Sequence, residues 1–230
     1  MARSTIDPAG PSRTALAHHG TGAGTGTAAG ETMRLFVAIA PPAGVLDELE
    51  ELAAPFRLTR QDLRWTNRSA WHVTLAFLGE MQEAKLDDLL PRLERAARRH
   101  CEIGLAFAGA GAFPVPKRAN VLWSGLAGDQ RALASLAASV AAGARRAGAP
   151  PPDKGRRFQP HLTLARCRLP ADVTGIVAEL AGYQGQEWQA DRIHLVRSHL
   201  GGSKPPSYST VAWWPLRRPA PAPADVTTTG

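Results

Sequence analysis

Hydrophobic positions recur along this chain with two alternating periods. The segment 34–40, RLFVAIA, has the composition and length of a strand, and Pro41-Pro42 stops it just before a helical period that runs from about residue 43 to 56. A strand over 71–78 follows. Leu86, Leu89, Leu90 and Leu93 then recur at helical spacing, with Pro91 placed to kink that helix, and 103–107 returns to strand. The same order then comes again: strand 120–125, helix 129–147, strand 161–166, short helix 173–180, strand 192–196. A last strand, 208–214, closes the series.

This recurrence reads as a duplication. His72 and His161, each opening a His-X-Thr-Leu segment, stand 89 residues apart, while Phe36 and Trp123, in the strands that open the two halves, stand 87 apart. The expected repeat covers about 33–110 and 120–198 within one domain of 33–218. Strands outnumber helices, so the expected class is α+β: two pseudo-symmetric lobes, each an antiparallel sheet with helices on its outer face, around a central groove. Residues 1–32, rich in Gly, Thr and Ala, and the proline-bearing 219–230 have no apolar period to offset the entropy of ordering. They are expected to be a disordered leader and tail, and Met33 is an alternative start of translation.

Composition narrows the setting. A chain of 230 residues that is 44% hydrophobic can bury a full core. Charge, Gly or Pro interrupts every apolar run before the roughly 18 residues of a membrane span, and 1–32 lacks the compact apolar stretch of a secretion signal. Two cysteines, Cys101 and Cys167, make no disulfide framework, so the expectation is a monomer in a reducing cytoplasm, with no membrane partner. The net charge of +7 belongs to the body, since Arg3, Arg13, Asp7 and Glu31 cancel within 1–32. A basic body concentrates polyanions such as nucleic acid, although genomic base bias also enriches arginine.

The two histidines carry the candidate chemistry. Alternate side chains of a strand share a face, so His72 projects with Thr74 and His161 with Thr163, while Val73, Leu75 and Phe77, like Leu162 and Leu164, point to the opposite, packed face. A single His-X-Thr-Leu is ordinary for a histidine resting on a sheet. Two copies at equivalent places put four polar groups on facing surfaces, where an idle pair of imidazoles would be costly to desolvate. Neither His-X-X-X-His nor Cys-X-X-Cys spacing is present, so acid/base work suits the pair better than a metal, and no cofactor is called for; a mixed site with Cys101 or Cys167 is the weaker option. Imidazole can be neutral in one copy and charged in the other near neutral pH. The threonine hydroxyls can donate to phosphate oxygens as charge builds on them.

These residues resemble the two-histidine phosphoesterase superfamily, in particular the RNA 2′,3′-cyclic phosphodiesterases once named 2′-5′ RNA ligases. The resemblance runs from Met33 to about Leu216 and is carried by RLFVAI at 34–39, HVTLAFLGE at 72–80, VLWSG at 121–125, Arg156 and Phe158 of RRFQPH, and PHLTLAR at 160–166. It implies hydrolysis of terminal 2′,3′-cyclic phosphates to 2′-phosphates on RNA ends, tRNA fragments among them, with reversible 2′-5′ joining of RNA halves as a related activity. It gives His161 the activation of water, His72 the protonation of the departing 3′ oxygen, and Thr74, Thr163 and Arg166 the phosphate.

Strict alternation sets Arg166 on the face opposite His161, so the phosphate role requires a bulge; otherwise Arg166 is a surface ion-pair residue. Phe36 and Phe158, with Trp65 and Trp71 behind them, are candidates to stack on a base, against the common use of aromatics as core. Lys154, Arg156 and Arg157 form a basic run that suits RNA phosphates or a solvated loop, and Arg157 stands where the family commonly has proline. Two competing functions remain open: a phosphodiesterase for small cyclic nucleotides using the same four residues, and an RNA-end-binding module without turnover.

Overall fold

Alternating apolar runs become strands and 3.6-residue periods become helices in the computed structural model, which describes residues 31–151, 157–199 and 206–219. The strands are β1 (Thr32–Ile39), β2 (Leu63–Trp65), β3 (Val73–Gln82), β4 (Ile103–Phe113), β5 (Ala119–Gly128), β6 (His161–Ala171), β7 (Trp188–Ala190), β8 (Arg192–His199) and β9 (Ser207–Pro215). The longer helices are α1 (Ala43–Thr59), α2 (Leu86–Ala97), α3 (Gln130–Arg146) and α4 (Thr174–Glu179). Every ladder between these strands is antiparallel, in the order β7-β4-β5-β6-β3-β1-β8-β9, with β2 also on β6.

Two four-stranded groups meet at one residue pair, Val73 with Leu162, where β3 touches β6. Read outward from this seam, β3-β1-β8-β9 mirrors β6-β5-β4-β7. The α+β architecture with two related lobes is thus present. The lobes are nevertheless not the two sequence halves. The short connection over 114–118 returns β4 onto β5, so the last strand of the first half joins the second lobe. In the same way β8, from the second half, pairs with β1 in the first lobe.

The helices follow from local signals. The Asp129 carboxylate caps α3 by accepting from the Ala132 amide at 2.9 Å, and Leu133, Leu136, Ala137 and Val140 form the buried stripe that packs on α2 and against β3. On α2, Leu89, Leu93, Ala96 and Ala97 are buried while Asp88 and Arg92 pair outside at 2.8 Å. The helix runs on through Pro91. At three residues each, β2 and β7 are too short for alternation to announce them. Residues ahead of Met33 take part in the fold: β1 starts at Thr32, and Glu31 pairs with Arg197 at 2.8 Å. The remainder of the expected leader and residues 220–230 of the tail lie outside the described residues. Among the described residues no helix is long and apolar enough to cross a membrane.

Candidate active site

The seam between the lobes places the histidines. His161 is the first residue of β6, and His72 immediately precedes β3. Continuing the antiparallel register from the Val73–Leu162 pair sets His72 across from Thr163 and His161 across from Thr74, so each imidazole faces the other strand's hydroxyl residue. Val73, Leu75, Leu162 and Leu164 are buried behind them and fix both strands to the core.

Each ring is held in the same way. The Nδ1 of His72 lies 2.8 Å from the carbonyl oxygen of Ala70, and the Nδ1 of His161 lies 2.7 Å from that of Gln159. A carbonyl only accepts, so each Nδ1 carries the proton, and Nε2 is left as the atom that can take or give one. Burial pushes the His72 imidazole down to about 4, and the positive charges of Arg166 and His161 act in the same direction; the Ala70 carbonyl partly opposes them. His72 is therefore neutral at pH 7 before substrate arrives.

Arg166 reaches this face because the ladder is irregular. The register of β6 on β5 shifts between Trp123↔Thr163 and Leu122↔Ala165, so Leu164 and Ala165 are both buried and Arg166 emerges on the side of His161 and Thr163. It forms no ion pair among the described residues, and its charge is felt at His72. The same irregularity in β3 overturns the parity expected for Phe77. One register shift against β1, between Val37 and Ala38, falls between Thr74 and Phe77 and turns the Phe77 ring outward, where it is 71% exposed and 6.2 Å from the Phe36 ring.

Aromatic rings enclose both imidazoles. Phe36 and Tyr208 lie 4.7 and 5.3 Å from His72, and Phe113 and Trp123 lie 5.0 and 6.0 Å from His161, centroid to centroid. Trp123 lies flat across its cross-strand partner Gly111, where a Cβ would come within 2.3 Å of the indole. Phe36, expected to stack on a base, is instead 4% exposed and occupied by His72 and Tyr208. Trp71 is 2% exposed, and Arg57 sits over its ring at 5.6 Å and over that of half-buried Trp65 at 6.0 Å, so both are packing residues. Phe158, 38% exposed, stays available. Arg157 is exposed near His161, whereas Lys154 and Arg156 lie outside the described residues.

Sequence reasoning missed His194, Tyr208 and Phe113, which come to the site through long-range pairing. His194 of β8 pairs with Ala38 of β1, which pairs with Thr74 of β3, and it shares a small pocket with Phe36, Ser69, His72 and Tyr208. It is 6% exposed, its Nδ1 has no protein partner, and burial, helped by Arg192 and opposed by Asp191, pushes it down to about 4.

Among the described residues no three or more His, Cys, Asp or Glu side chains gather in a metal-binding group. A sequence model of the 2′-5′ RNA ligase superfamily matches residues 41–202, which contain both histidine strands. The chain belongs to this superfamily. Its relatives include an RNA 2′,3′-cyclic phosphodiesterase of Thermus thermophilus, 32% identical over 191 residues, 80% of this chain and 91% of that one. A second, from Aquifex aeolicus, is 30% identical over 105 residues, 46% of this chain and 55%, about half, of that protein. In three dimensions the superfamily fold is shared with LigT of Escherichia coli in its apo form, at a TM-score of 0.66 and 26% identity, over 82% of this chain and 99% of LigT.

Proposed function

We propose that this superfamily member hydrolyses RNA 2′,3′-cyclic phosphate ends to 2′-phosphates through paired proton transfer by His72 and His161. The observation that supports it most is the matched presentation of two Nε2 atoms, each fixed by a carbonyl two residues upstream, on either side of one seam. Water attacks phosphorus and gives its proton to one imidazole; the P–O3′ bond breaks and the other imidazole protonates O3′. Thr74 and Thr163 donate to the non-bridging oxygens, and Arg166 offsets the charge gathering there. With the 5′-hydroxyl of a second RNA in place of water as the nucleophile, the same steps join RNA ends 2′-5′: the hydroxyl gives its proton to one imidazole, the P–O5′ bond forms, and O3′ leaves with a proton from the other. The names of the Thermus and Aquifex relatives support RNA ends over small cyclic nucleotides as substrate.

The depressed proton affinity of His72 favours a second assignment of roles. Neutral with a free Nε2 lone pair, it suits water activation, with His161 as the acid, the reverse of the order the resemblance implies. A bound cyclic phosphate, one negative charge beside the ring, restores protonation of His72 and with it the original order. Leaving-group chemistry separates the two. A phosphodiester that expels a nitrophenolate needs no acid, so alanine at the acid position costs little on that substrate and much on RNA, while alanine at the base position costs much on both. For the activity itself, an oligonucleotide ending in a 2′,3′-cyclic phosphate is incubated with the protein and its product isomer identified. A 2′-phosphate is expected; a 3′-phosphate, or an intact end, overturns the reading.

A further inference from the structure

The outer side of the first lobe carries a cleft of about 590 Å³ between α2 and α3. Arg92, Arg95 and Arg99 line it from α2 and the turn after it, and Ser135, Ser139 and Arg146 from α3. Gly143 sits close to the Arg92 backbone, and Ser139 Oγ lies 2.9 Å from His100 Nε2, so the two helices run antiparallel along the cleft. The lining from 135 to 146 extends about 16 Å at the α-helical rise. Arg92 is paired with Asp88, but Arg95, Arg99 and Arg146 have no carboxylate partner among the described residues. Three unpaired guanidiniums along one trough repel one another unless an anion joins them.

The remaining wall is made of Ala96, Ala138, Ala142 and Gly143. No aromatic ring offers a base its face there, so the cleft is equipped for phosphates and not for nucleobases. It also lies apart from the candidate active site. Of the two helices, α3 packs against β3, on which Val73 and Leu75 are buried, and α2 packs on α3, whereas His72 and Thr74 face the groove on the other side of the strand. A ligand in the cleft therefore cannot touch the reacting phosphate, and a track that combines both sites must pass around the sheet.

We propose that the α2–α3 cleft binds the phosphodiester backbone of single-stranded RNA, without regard to sequence, at nucleotides well removed from the cyclic end. This rests on the RNA-end reading of the active site. It makes the affinity for substrate depend on RNA length while leaving the chemical step alone.

The test compares the wild type with a triple variant, Arg95→Gln, Arg99→Gln and Arg146→Gln, whose long polar side chains keep the helices soluble and helical. Two substrates are used: a dinucleotide ending in a 2′,3′-cyclic phosphate, too short to reach the cleft, and a single-stranded RNA of about 30 nucleotides with the same end. The variant is expected to keep both kinetic constants on the dinucleotide and to raise KM on the long RNA at least tenfold, with kcat unchanged. Binding of the same long RNA with a plain 3′-hydroxyl, followed by fluorescence anisotropy, reads the cleft without any turnover. Its log–log dependence on salt should flatten by about 2 in the variant, since each backbone phosphate neutralised on a single strand contributes a slope of about 0.7. If neither substrate is turned over but the anisotropy difference persists, the catalytic reading falls and the cleft stands. Equal losses on dinucleotide and long RNA, or unchanged binding and salt slope in the variant, overturn the cleft. Saturation by tripolyphosphate that the variant abolishes, with RNA binding unaffected, also overturns it and assigns the arginines to a small polyphosphate.

Discussion

Replacing His194 with leucine should remove part of the acid sensitivity of this fold. In the folded chain His194 is held near 4 by burial, whereas in the unfolded chain it returns to the ordinary imidazole value of 6.5. Between these values the unfolded state binds a proton that the folded state refuses, so stability is complete above pH 6.5 and is lost as pH falls toward 4. Integrated from pH 7 down to pH 5, this one residue costs about 2 kcal/mol. His72 contributes in the same direction and is common to both proteins, so the difference between wild type and His194→Leu isolates His194. At pH 7 the substitution should be close to neutral, because it exchanges a buried ring with an unpartnered Nδ1 for an apolar side chain among Phe36, Ala38 and Val196. The assay is urea unfolding at pH 7, 6 and 5, followed by the fluorescence of the six tryptophans. Parallel stability-versus-pH curves for the two proteins would refute the reasoning, since they would mean that His194 takes up its proton in the fold as readily as in the unfolded chain.

Three further outcomes are expected. His72→Ala and His161→Ala should each lower kcat by about 10² to 10⁴ with little change in RNA-end binding, and the double variant should be scarcely worse than either single one; additive losses would point to separate structural roles. Gly111→Ala forces a Cβ into the Trp123 indole and should destabilise the protein by about 1 to 3 kcal/mol. Because that indole backs His161, kcat should fall as well, and a variant with normal stability and turnover would show that the ring relocates at no cost. Turnover should survive EDTA, and a loss restored by zinc or manganese would remove the two-imidazole mechanism.

What was legible in the sequence depended on how local its cause was. His72, Thr74, His161 and Thr163 could be read because strand alternation is local and duplication marks the copies. Arg166 needed a bulge, and alternation says only that one is required, not that Leu164 and Ala165 would supply it by burying consecutively. Phe77 was misplaced for the same reason, since one shift in register lies between Thr74 and it. Phe36 was assigned to the correct face of β1, but the ring that covers it belongs to Tyr208, whose strand reaches β1 only through β8. His194 arrives by the same route, and nothing within several residues of it signals a pocket. The exchange of β4 and β8 between the lobes was equally invisible, since hydrophobic period reports which face is buried and not which strand lies alongside.

That exchange ties the two lobes into a single cooperative unit. Were each lobe built from one half of the chain, either could open or melt on its own, and the two imidazoles would drift apart as independent bodies joined by a linker. With β4 clasped between β5 and β7 and β8 between β1 and β9, pulling the halves apart breaks the interior of both four-stranded groups. Most of the sheet's pairing is therefore long-range in sequence, a topology that folds slowly but resists partial opening. A fragment ending after β4 would present that strand without β5 or β7, an open edge inviting association with another copy. The spacing of the two histidine strands is thereby tied to strands drawn from both halves of the sequence.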